Sequence, residues 1–107
     1  LRARLRRDLE NARWFAGQVE AEPHWRVLAP VALQTVCLRH EPPGLDADAV
    51  DAHTLVWAAR VNDGGRAFVT PSLLDGRWMV RVSIGAEPTE RADVQRLWAL
   101  LRQAVTS

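Results

Sequence analysis

Arg81 is the residue whose type and position best suit ligand chemistry. It lies in a run of strand-forming residues, flanked by Val80 and Val82. A guanidinium offers a planar fork of donors that matches a carboxylate through two parallel hydrogen bonds. The residues alone leave two readings open. Arg81 either receives a ligand's carboxylate or pairs with an acid or backbone carbonyls of its own domain.

The other reactive side chains form no complete catalytic set. Cys37 is the one cysteine; inside an apolar strand it reads as a small buried hydrophobe, with no histidine at a telling spacing. His24, His40 and His53 fall on a loop, a strand end and a helix, which predicts surface or capping roles and no metal site. All 14 basic residues are arginine, so no side chain here can form a Schiff base. No G-x-G-x-x-G, P-loop or G-x-S-x-G run occurs. Neither a catalytic residue nor a metal ligand is therefore assigned.

The element that must position Arg81 is a hairpin. Asp75-Gly76 suits a two-residue turn, where both positions take positive φ. With those two as the turn, Leu74 pairs with Arg77, Leu73 with Trp78, Ser72 with Met79, Pro71 with Val80, Thr70 with Arg81 and Val69 with Val82. Paired residues share a face. One face carries Ala67, Val69, Pro71, Leu73, Trp78, Val80, Val82 and Ile84. The other carries Phe68, Thr70, Ser72, Met79, Arg81 and Ser83. The apolar face calls for helices, and the mixed face is left for another use. Pro71 falls in a non-hydrogen-bonded pair, so its missing N–H would point away from the partner strand and predicts a sheet edge.

Leu1, Leu5, Leu9, Ala12, Ala16 and Val19 recur at helical spacing, widened by Phe15, and Pro23 ends that helix. Trp25 to Val31 and Leu33 to His40 read as strands broken near Pro30. Asp46 or Asp48 would cap a second helix whose apolar side uses Ala49, Ala52, Leu55, Val56 and Ala59, broadened by Trp57 and Val61. Asn62 to Gly65 stops it. Thr89 is a suitable cap for a last helix, with Glu90 and Asp93 placed to suit its dipole. Its stripe is Val94, Leu97, Trp98, Leu101, Ala104 and Val105. The expected fold class is α+β: a mostly antiparallel four-stranded sheet with helices on one face.

At 107 residues and net charge +1 the sequence bounds one ordinary globular domain, residues 1–107. That charge argues neither for nor against a polyanionic partner. One cysteine suits a reducing compartment, and no run is apolar and long enough to span a membrane. With no Met or cap ahead of Leu1, the chain reads as the C-terminal fragment of a longer protein, entered partway along a helix. Arg2, Arg4, Arg6, Arg7 and Arg13 on the first helix support a different reading, a stand-alone binding module. The interspersed acids favour a solvated helix face.

The run FVTPSLLDGRWMVRVSIGAEPTERADVQRLWALLRQA resembles the C-terminal end of the pyridoxal-phosphate (PLP)-dependent group II amino acid decarboxylases. RLRRDLENARWFAGQVEAEPHWRVLAPVALQTVCLRHEP is similar to the segment that precedes it in that family, so the likeness spans the chain in order. The resemblance implies the small C-terminal domain of a fold-type I enzyme, a cytoplasmic homodimer acting on an amino acid. The cofactor lysine, the histidine that stacks on the ring and the aspartate at its pyridine nitrogen belong to the family's large domain, in keeping with the missing lysine. In the family the arginine of the strand matched by VRVSIG lies near the substrate carboxylate, which implies that role for Arg81. Thr70 and Ser72, on the same face, would line the interface with the large domain. The fragment would shape and close a site in which the cofactor drives loss of carbon dioxide. It would not act alone, and a non-catalytic relative kept as an interaction domain is the other reading of the same likeness.

Overall fold

The computed structural model describes residues 3–28, 34–85 and 90–106. The elements run α1 (Ala3–Ala21), β1 (Trp25–Val27), β2 (Thr35–His40), α2 (Ala47–Asp63), β3 (Thr70–Leu74), β4 (Arg77–Ser83) and α3 (Arg91–Ala104). The strands form a four-stranded sheet in the order β1-β2-β4-β3, antiparallel throughout.

The hairpin has the expected register, with Thr70 opposite Arg81, Ser72 opposite Met79 and Leu73 opposite Trp78. Asp75 (φ 53°) and Gly76 (φ 78°) both take the left-handed conformation that a tight primed turn demands. β3 is an edge strand, as Pro71 required. That edge is blunted twice. The Asn62 side chain accepts from the Val69 N–H (2.7 Å) and donates to the Val69 carbonyl (2.9 Å), standing in for a neighbouring strand. Two residues on, Pro71 has no N–H to offer an incoming chain.

The core lies on one side of the sheet. Val36, Leu38, Val80, Val82 and Ile84 meet Ala12, Phe15 and Val19 of α1, Trp57 and Val61 of α2, and Val94, Trp98 and Leu101 of α3. Trp25 sits among the rings, edge-on to Trp57 (5.6 Å) and Trp98 (4.9 Å). Such edge-to-face pairs each add about 0.5–1.5 kcal/mol beyond their buried area. α3 rests on α1 and α2, using the stripe expected for it.

Several expectations need correcting. On α2 the buried stripe is Val50, Thr54, Trp57, Ala58 and Val61, whereas Ala52, Leu55, Val56 and Ala59 face outward. Both stripes have helical period, so periodicity could not choose between them. The indole of Trp57 brings the largest apolar surface and sets the phase, while the Thr54 hydroxyl donates to the Val50 carbonyl (2.8 Å) and so enters the core satisfied.

On α1, Asp8 and Asn11 are buried, whereas Leu5 and Leu9 are only half-buried. Its first turns pack on the polar junction at the end of β4. Asp8 covers Gly85, and Asn11 accepts from the Arg91 Nε (3.0 Å).

Cys37 is not in the core. It alternates with Val36 and Leu38, so it faces the helix-free side. On the hairpin, Leu73 is 57% exposed at the rim of the apolar face. Met79 is 5% exposed on the opposite face, which is therefore partly packed. Asp46 caps α2 through the Ala49 N–H (2.8 Å), and Glu90 occupies the cap position of α3. Leu1, the break near Pro30 and the proposed Thr89 cap lie outside the described residues.

Candidate functional site

Strand alternation places Arg81 at the middle of the helix-free face. Its Cα partners are Cys37 on β2 and Thr70 on β3, so the three lie in a row across three strands. Ser72 is one step along that face, opposite Met79. The fold therefore brings Arg81 beside Thr70 and Ser72, the three side chains singled out from the sequence, and adds Cys37. Phe68, 75% exposed, stands two residues before Thr70.

The charges on this face are unevenly paired. Arg39 is buried; its Nε donates to the Trp78 carbonyl (3.0 Å) and its Nη1 to Glu41 (3.1 Å). Arg26 reaches the other oxygen of Glu41 (3.4 Å). Arg77 is held by Asp51 of α2 (3.1 Å), which also accepts from the Trp78 N–H (3.2 Å). These side chains satisfy the backbone groups of Trp78 just past the end of the β2 ladder. Arg81 is different. It is exposed and makes no hydrogen bond or ion pair with any described residue. An exposed guanidinium carried on a strand suits an incoming carboxylate. The internal pairing left open by the sequence is not found among the described residues.

The fold also makes a pair that the sequence did not reveal. His40 ends β2 and His53 lies on α2, and their Nδ1 and Nε2 atoms are 2.9 Å apart. The His40 ring stacks at a tilt on Trp25 (4.8 Å). Burial, then the neighbouring His53 and His24, lowers the His40 pKa to about 4. Burial and then Arg60 lower that of His53. Near neutral pH both rings are uncharged and one donates to the other. The pair lies on the core side of the sheet, away from Arg81, and among the described residues no group of three metal-ligating side chains forms. Thirteen residues separate the two histidines, so no local spacing signalled the contact.

Arg4, Arg6, Arg7 and Arg13 are exposed along α1. No hydrogen bond joins Cys37, Thr70 or Ser72 to a histidine among the described residues. The exposed guanidinium of Arg81 equips this face to bind and orient an anion. The chain's residues do not fit a covalently held PLP. That attachment needs a lysine amine, and the chain has none. No catalytic step is derived through the cofactor.

No protein-family model matches the chain. It is 32% identical over 107 residues to tryptophan decarboxylase TDC1 of Camptotheca acuminata, covering 96% of this chain and 21% of that protein. Tyrosine decarboxylase 4 of Petroselinum crispum is 30% identical over 106 residues, covering 95% and 21%. The chain thus spans about a fifth of the length of these curated relatives. Among solved structures, Oryza sativa TDC with PLP and tryptamine superposes with a TM-score of 0.90 at 23% identity, over 96% of this chain and 22% of that one. At that identity the likeness speaks for the fold.

Proposed function

We propose that this chain, a segment of the PLP-dependent amino acid decarboxylase family, serves such an enzyme as its small C-terminal domain. The helix-free face of the sheet turns toward the large domain, with Thr70 and Ser72 at the contact. Arg81 reaches into the active site and holds the substrate's carboxylate. The cofactor and its lysine come from the large domain, which is where the relatives' additional length would supply them. The same reading takes the whole enzyme as a cytoplasmic homodimer acting on an amino acid.

The observation that carries this reading is the exposed guanidinium, unpaired among the described residues, centred on the sheet face that no described helix covers. Its chemistry sets a limit on its role. A carboxylate about to leave as carbon dioxide loses its charge in the transition state, so a guanidinium on it stabilises the bound substrate more than the transition state. Arg81 therefore binds and orients, and its closure over the substrate excludes water. A charge-assisted hydrogen bond is worth roughly 1.5–3 kcal/mol, about ten- to a hundredfold in affinity.

The test is steady-state decarboxylation by the longer protein carrying Arg81→Met. KM should rise by that factor with kcat nearly unchanged. Arg81→Lys, which keeps the charge and loses the fork, should fall between. Normal rates at every substrate concentration would remove the carboxylate role.

A further inference from the structure

The C-terminal turns of α2 and α3 enclose a cleft of about 290 Å³, on the helical layer and across the sheet from Arg81. Its walls are mostly apolar, formed by Val61, Leu100 and Ala104, with Gly64 and the amide of Gln103 completing the lining. Arg60 and Arg66 stand at its edge, and no carboxylate lines it among the described residues. We propose that this cleft is a binding site for a small aromatic monocarboxylate, its ring between the helices and its charge on the two guanidiniums.

Three observations carry the assignment. The first is positioning: the Arg60 Nη1 donates to the Ala104 carbonyl (2.9 Å), which fixes that guanidinium at the mouth and leaves its other N–H groups free to point elsewhere. Arg66 is exposed and pairs with no described residue. The second is net charge. Two helix C-termini contribute roughly −0.5 each, against two full positive charges, which leaves about +1 for a ligand to neutralise. That balance suits a monoanion and not a dianion. The third is size. The volume lies at the lower end of ligand sites and admits about one ring, while apolar walls with few convergent polar groups are the usual composition of such sites. Capping of the α3 carbonyls explains Arg60 alone; it does not explain Arg66, or the room between the helices.

The experiment is a titration of the isotope-labelled chain with phenylacetate, followed by amide chemical shifts. Phenylacetamide serves as the uncharged control and inorganic phosphate as the bare anion. Saturable shifts should centre on Gly64, Leu100 and Ala104, with phenylacetamide at least tenfold weaker. Arg66→Gln should weaken phenylacetate about tenfold. Leu100→Trp, which fills the cleft from a half-buried position, should abolish binding while the remaining amide spectrum stays folded. If Leu100→Trp disrupts the fold, the Arg66→Gln titration decides alone. Three results would each overturn the site: no saturable shift at millimolar phenylacetate, shifts centred on Arg81, or equal affinity for the amide. Phosphate binding as tight as phenylacetate would reduce it to a bare anion contact and overturn the assignment to an aromatic ligand.

Discussion

Acid should loosen this fold through His40, and the size of the effect follows from its surroundings. Its pKa stands near 4, because burial and then the two neighbouring histidines oppose its charge, against 6.5 in an unfolded chain. The folded value is the lower one, so between those two pH values the unfolded chain binds more protons. Stability is complete above about pH 6.5 and is lost as pH falls toward 4. A shift of about 2.5 pH units corresponds to roughly 3.4 kcal/mol as a ceiling. His40 is only half-buried, and solvent screening at such a site brings the expected loss nearer 1–2 kcal/mol. The assay is urea denaturation at intervals from pH 8 to pH 4, with His40→Gln in parallel. Glutamine fills similar space and does not titrate. Carboxylates titrate in both proteins, so the difference between the two curves isolates the imidazole. The wild type should lose about 1–2 kcal/mol more than the variant over that span. Parallel curves would refute the reasoning, because the His40–His53 contact would then carry no proton linkage.

Three further outcomes concern the fold that carries Arg81. Gly85 has φ 92°, and a Cβ there would lie 2.5 Å from the Asp8 carboxyl carbon; Gly85→Ala should cost about 2–4 kcal/mol in chemical denaturation, with Asp8→Ala in the same chain recovering part of it. Asp51→Ala strands the Trp78 N–H and Arg77 together and should cost about 1–3 kcal/mol, whereas Asp51→Asn keeps the acceptor for the amide and should cost less than half of that. Removing both edge guards, with Asn62→Ala and Pro71→Val together, should produce concentration-dependent association in sedimentation that neither change alone produces. A double variant that stays monomeric would show that the edge needs no such protection.

The hairpin, its register and the edge position of β3 were all legible, because each depends on residues close in sequence. Asp75-Gly76 closes the turn, alternation assigns the faces, and a slip by one would invert both. α3 was legible as well, since it carries only one apolar stripe. α2 was misread because Ala52, Leu55, Val56 and Ala59 repeat as regularly as the residues that are in fact buried. Only the space opposite Trp57 distinguishes the two. The likeness to decarboxylases pointed to Arg81 before its surroundings were known.

By itself the sequence determined which residues share a strand face, where the chain reverses, and that no lysine side chain exists here to bond a carbonyl. Those follow from backbone geometry and side-chain identity, which act over a few residues. Tertiary structure alone decided that Arg26, Arg39 and Arg77 are tied to Glu41 and Asp51 while Arg81 is exposed and unpaired among the described residues, and that His40 meets His53. Pairing of charges and rings depends on distances between segments far apart in the chain, and those are set only when α2 packs on the sheet.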